Sequence, residues 1–247
     1  MKRLIATTAL LGTLATTGFA QDLTPMTDEE RALFRAEVRA YLFDNPEVIM
    51  QAVDILQNRE AEQQVQADLD LVAAHSDALF DDGFSWVGGN PEGDIVLVEF
   101  LDYRCGYCKR AHGEVAQLLE RDGNIKLIVK ELPILGDASV LASRFAVAVK
   151  QLAGGDSYKS VADALMSFQG EITMPALTRL GNTFGLDMDA VAEHMNSDAV
   201  TAEITATREL AGALAISGTP TFVLQDELLR GYLPLEQMQA MVDEKRG

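Results

Sequence analysis

Cysteine is scarce. The 247 residues contain only two, so a disulfide framework cannot hold this chain together. Bases are also few, 20 against 38 acids, and the net charge of −18 repels phosphate backbones and anionic lipid head groups. Nucleic acid is therefore not expected as a partner. No apolar run reaches the roughly 20 residues needed to cross hydrocarbon, and the chain shows no internal repeat or low-complexity tract. With 19 Gly and 7 Pro the composition excludes collagen-like, mucin-like and wholly disordered classes, and a hydrophobic content of 48% supplies a folded core.

The first residues carry an address. Met1, Lys2 and Arg3 give a positive start, residues 4–14 an apolar run, and Gly18-Phe19-Ala20 a small-x-small cleavage signature. Residues 1–20 read as a secretory signal peptide, and the mature chain after Ala20 carries a net charge of −20. No cysteine stands at the cleavage point to accept a lipid.

Residues 22–80 read as a helical segment. Thr27 and Glu30 form a capping box, and Leu33, Phe34, Val38, Tyr41 and Leu42 then share one helix face. A second helical pattern over residues 46–79 carries two stripes, one of Ile49, Val53 and Leu56, the other of Val65, Leu69 and Val72. The nine-residue step between them turns the apolar face by about 180°. Residues 22–60 are accordingly expected to pack against copies of themselves, and the later half against the following domain.

Gly83, Gly88, Gly89 and Pro91 mark turns, so a globular domain is expected over residues 84–247. Residues 95–100 form an apolar run interrupted by Glu99, as in a strand buried on both faces. A helix follows from Cys105 to about Arg121, then a strand over residues 125–129. Residues 137–217 look helical, with breaks expected at Gly154-Gly155, Gly170, Gly181 and Gly185. Residues 221–224 and 228–232 read as a hairpin, and Pro234 opens a last helix. Without the helical block the order is βαβ then ββα, an α/β fold interrupted by a helical insertion.

Both cysteines lie in one short motif, Cys105-Gly106-Tyr107-Cys108. A disulfide closing so small a loop removes little unfolded-state entropy, so the pair is a poor staple and a good reagent. It stands after a buried strand and at the start of a helix. Cys108 shares the inward stripe with Ala111, Val115, Leu118 and Leu119, whereas Cys105 is left exposed at the helix tip, where free N–H groups and the dipole favour a thiolate. Cys105 is expected to attack a disulfide and Cys108 to resolve the mixed disulfide. Glu99 and Lys130 on neighbouring strands form a candidate buried pair, with a proton-handling role near Cys108. The motif holds no histidine between its cysteines, so only moderate oxidising strength is expected.

Residues 94–246 resemble a thioredoxin-superfamily domain of the DsbA-like type, on the cysteine motif, the acid six residues before it, and the Thr219-Pro220 pair before a strand. The resemblance implies a thioredoxin-like fold with the insertion at residues 137–217, a cis-proline loop at Thr219-Pro220 beside Cys105, and buried acid and lysine positions at Glu99 and Lys130. Tyr107, Thr219 and Pro220 are the implied substrate-binding residues. Residues 27–79 resemble the N-terminal helices of ScsC-like proteins, which in relatives form a trimerisation stalk. The Cys-Gly-Tyr-Cys and Thr-Pro pairings are similar to those of DsbC isomerases and depart from the Pro-His motif of DsbA oxidases.

The sequence is thus read as a periplasmic thiol–disulfide oxidoreductase, favouring isomerase or reductase activity, with a DsbA-type oxidase as the alternative. It needs no cofactor beyond the redox-active Cys105–Cys108 disulfide. The implied partners are cysteine-containing protein substrates, a membrane thiol reductant or oxidant, and copies of the chain itself, with a trimer favoured. A copper-binding role through Cys105, Cys108 and His112 is the rival reading; His112 is otherwise a solvent-exposed helix residue, and structural zinc wants a fourth ligand.

Overall fold

The computed structural model describes residues 26–247; the signal-peptide reading of residues 1–20 lies outside them. The chain divides into two compact units between Asn58 and Arg59.

Helix α1 (Asp28–Asp44) starts under the expected capping box. The Glu30 N–H donates to Thr27 Oγ1 at 3.3 Å, and the Thr27 N–H donates back to Glu30 Oε2 at 2.9 Å. Helix α2 (Glu47–Ala74) follows. No residue of α1 is buried, and Phe34, Val38, Leu42, Phe43 and Ile49 line an open apolar groove within this unit.

In the second unit, the helical pattern that the sequence extends to residue 79 breaks at His75, and α3 (Ser76–Phe80) continues it. The end of α2 packs by Val72, as expected, but Val65 stays 59% exposed. Asp68 contributes a contact that periodicity does not show, an ion pair with Arg230.

Strand β1 (Trp86–Gly89) comes next, then β2 (Ile95–Leu101), α4 (Gly106–Asp122) and β3 (Ile125–Glu131). The helical block comprises α5 (Asp137–Ser167), α6 (Met174–Thr183), α7 (Met188–His194) and α8 (Asp198–Ala213). It ends at β4 (Thr221–Leu224), β5 (Glu227–Arg230) and α9 (Leu235–Arg246). The sheet order is β1-β3-β2-β4-β5, with β2 and β3 parallel and the other pairs antiparallel.

Central strand β2 is buried on both faces. Leu97 and Leu101 join the larger core with α4, α5 and α9, while Val98 and Phe100 join Val72, Leu79 and Leu210 on the other side. Strand β1 is absent from the sequence reading because Gly88 and Gly89 look like a turn. Gly88 is needed for a different reason: a Cβ there would lie 2.0 Å from the Trp86 ring, which folds over it. The Gly154-Gly155 break is present as a kink in α5, where Gly154 has φ 84°. The Trp86 indole N–H donates to the Gly155 carbonyl at 3.0 Å, tying the edge strand to that kink.

Candidate active site

The strand–helix junction places the two sulfurs at different depths. Cys105 is the N-cap of α4, with extended backbone, so the amides of the helix's first turn open around it. Its own N–H donates to the Asp102 carbonyl at 3.0 Å. The Asp102 carboxylate is fully buried and accepts from the Arg104 N–H at 2.8 Å, the Ile134 N–H at 2.8 Å and the Leu135 N–H at 3.0 Å. One acid thus ties the loop carrying Cys105 to the loop leaving β3. Asp102 carries no motif, and only its place three residues before Cys105 hinted at a turn.

Cys105 is not exposed as the helix-tip argument expects: it retains 7% of its surface. The covering group is the Thr219-Pro220 loop. The Thr219–Pro220 peptide is cis, and the Cys105 thiol donates to the Thr219 carbonyl oxygen at 3.1 Å. Cys108 lies on the inward face of α4 with no exposed surface, and the two sulfurs are not bonded to each other. Burial drives the Cys108 thiol far above the ordinary cysteine range. Tyr107 is 62% exposed beside the pair, with its ring 6.1 Å from that of Tyr232; the Arg110 guanidinium stacks on the Tyr232 ring at 4.5 Å.

Glu99 and Lys130 are both buried, at 2% and 1% exposure, but they do not meet. In the parallel register Glu99 lies opposite Val129 and Phe100 opposite Lys130. Since alternate residues of a strand face opposite sides, the acid and the lysine point to different faces of the sheet. The expected pair is therefore corrected. Lys130 Nζ donates to Asp82 Oδ2 at 2.5 Å and to Ser85 Oγ at 3.1 Å, holding the loop that leads into β1. Glu99 Oε1 is buried with no hydrogen-bond partner. Burial, with the nearby Glu131 charge, pushes its carboxyl up to about 8.

Glu131 is a buried acid the sequence reading misses. It accepts from Tyr103 at 2.6 Å, Tyr158 at 2.7 Å and Ser143 at 2.7 Å, joining the cysteine loop to the insertion. Burial raises it to about 7 despite those three bonds. Its donors come from the cysteine loop and from the two sides of the kink in α5, so no spacing signals it.

His112 is half-buried rather than solvent-exposed, with Nε2 2.9 Å from Asp163 Oδ1. Among the described residues, no group of three or more His, Cys, Asp or Glu is arranged to hold a metal ion.

A buried cysteine pair at the start of a helix, after the central strand of a mixed five-stranded sheet and against a cis-proline loop, is the arrangement of a thioredoxin-like domain. The chain belongs to the family described as DSBA-like thioredoxin domain, whose model matches residues 96–243. Residues 30–63 match the copper resistance protein ScsC N-terminal domain. The crystal structure of a thioredoxin-like oxidoreductase from Silicibacter pomeroyi is 40% identical, covers 69% of this chain and 96% of its own, and superposes with a TM-score of 0.65. BcfH of Salmonella enterica Typhimurium is 25% identical with a TM-score of 0.73, covering 89% of this chain and 97% of its own. Among curated relatives, the Na(+)/H(+) antiporter NhaA 3 of Salinispora tropica is 28% identical over 156 residues, 63% of this chain. The chain spans about a quarter of that antiporter's length, 24%.

Proposed function

We propose that this protein is an exported, periplasmic thiol–disulfide oxidoreductase acting on protein disulfides, with isomerase or reductase activity ahead of oxidase activity. The observation that carries the reading is the unequal placement of the two sulfurs. Cys105 lies at a helix N-terminus against the Thr219 carbonyl, and Cys108 is sealed beneath it. Displacing that carbonyl frees the Cys105 sulfur to attack a substrate disulfide; the Cys105–substrate bond forms as the substrate's own S–S bond breaks. Cys108 then attacks Cys105 and releases the second substrate thiol. Its high proton affinity makes a nearby base useful, and the unpartnered Glu99 carboxylate is that base. Tyr107, Thr219 and Pro220 form the surface offered to an extended substrate, and a membrane thiol reductant keeps Cys105 reduced.

The exposed apolar face of α1 supports a homo-oligomer through the N-terminal helices, with a trimer favoured, which places several cysteine pairs around one client. Similarity to a periplasmic thioredoxin-like protein from Salmonella enterica supports the compartment. The test is recovery of a scrambled multi-disulfide protein against oxidation of a reduced one. Recovery exceeding oxidation is expected; oxidation alone overturns the isomerase reading.

A further inference from the structure

Glu99 does not end in packed hydrocarbon. It lines a cavity of about 40 Å³ between β2, α4 and α5, walled by Trp86, Leu101, Val115, Val129 and Met166. By the same measure a water molecule needs roughly 10–15 Å³, so the cavity has room for more than one. Its few polar linings are Glu99 and, toward the surface, His112, Lys159 and Asp163. The side chains of those three retain 28%, 46% and 42% of their surface respectively. His112 is four residues after Cys108, one turn along the same face of α4. A buried, unpartnered carboxylate oxygen of Glu99 therefore shares one small cavity with an imidazole that reaches solvent.

We propose that His112 is the proton exit for the active site, carrying the proton that Glu99 receives from Cys108 out to solvent through this cavity. The inference rests on the reading of Glu99 as the base for Cys108. As Cys108 attacks the mixed disulfide, its S–H proton passes to the Glu99 carboxylate. The Cys105–Cys108 bond forms, and the substrate sulfur leaves as a thiolate. Neutral Glu99 must then shed that proton before it can serve again. Water in the cavity carries it to His112. Nε2 stands 2.9 Å from Asp163 Oδ1, and with two ring nitrogens the imidazole can gain the proton on one and release it from the other. His112 acts through Glu99 and touches neither sulfur's partner.

The charged and titratable groups around this path come from three elements. Glu131 faces Glu99 from β3, Cys108 from α4, and Tyr158, Lys159 and Asp163 line the cavity or flank His112 from α5. Burial chiefly holds the His112 ring below the ordinary histidine range, with Asp163 opposing and Lys159 adding, so at neutral pH the ring is free to accept. Glu99, pushed up to about 8, holds a proton for much of the time at neutral pH, so it must be emptied through the exit before it can accept the proton of Cys108.

A pH jump separates the exit from the base. Reduced full-length protein is held at about pH 6, where Glu99 is protonated, and mixed to about pH 9 with excess dithiobis-nitrobenzoate. The first coloured thiolate reports attack by Cys105 and the second reports resolution by Cys108. In His112→Leu, which fills the ring's space, the second release after the jump is expected to lag about tenfold behind the same variant preincubated at the final pH. His112→Gln, which keeps a polar contact to Asp163 but cannot carry a proton, is expected to show the same lag, and the parent protein none. A lag in the leucine variant alone marks a packing effect and overturns the proposal. So does the absence of a lag in both while Glu99→Gln slows resolution. If Glu99→Gln leaves resolution unchanged, the reading of Glu99 as base has failed, and the exit with it.

Discussion

Helices α1 and α5 spend their apolar side chains in opposite ways. In α1, as seen among the described residues, Leu33 is 73% exposed, Phe34 55% and Tyr41 55%. In α5, Phe145, Val147, Val149 and Val161 are fully enclosed. Both helices are capable of burying apolar surface; among the described residues the second is enclosed and the first keeps its apolar side chains exposed. A helix apolar all round is the signature of an interior, whereas one with a single bare stripe is waiting for a partner. The chemistry lies with the enclosed helices, because a thiol and a carboxyl change their proton affinity only where water is excluded.

This contrast is broken first at the sulfur. Cys105→Ser is expected to reduce insulin reduction to the uncatalysed background while leaving the mass in solution unchanged, read by turbidity and light scattering. Loss of mass along with activity would mean that the two units are not separate in function.

The next largest effect concerns Glu99 and stability. Because its folded value is raised to about 8, the folded protein holds a proton that the unfolded chain releases near the ordinary carboxylate range. Stability from this group is complete below that range and is lost as pH rises toward 8. Glu99→Gln should remove the slope, stabilising on the order of several kcal/mol at pH 8 and little at pH 4, as read by thermal unfolding. It should leave assembly through α1 untouched.

A third experiment addresses the bare stripe. Phe34→Glu with Val38→Glu should drop the particle to a single chain and lower recovery of a scrambled protein several-fold. Alkylation of Cys105 should be unchanged. A particle of unaltered mass would show that α1 is not the contact.

The smallest effect is at Asp68, where the exposed and enclosed parts of α2 meet. The Arg230 hydrogen bond holds this carboxyl below its ordinary range, against the cost of burial. Its contribution is present above that ordinary range and is lost as pH falls through the lowered folded value. Asp68→Asn should cost about 1 kcal/mol at neutral pH and almost nothing in acid, as read from denaturant midpoints.

Much of this molecule was determined locally and could be read as such. The Thr27–Glu30 cap, the two-faced burial of β2, the break at Gly154 and the inward turn of Cys108 all follow from spacings within a few residues, where helix and strand periods hold without help. The depth of Cys105, the separation of Glu99 from Lys130 and the edge strand at Gly88 were decided only by the tertiary structure. Periodicity tells which residues of one strand share a face, but it does not tell how two strands are registered, so Glu99 opposite Val129 and Lys130 turned toward Asp82 were invisible along the chain. The same holds for the Glu131 network and for the cavity joining Glu99 to His112: their members come from β2, β3, α4 and α5, and only the packing of the insertion on the sheet brings them to hydrogen-bonding distance or into one space.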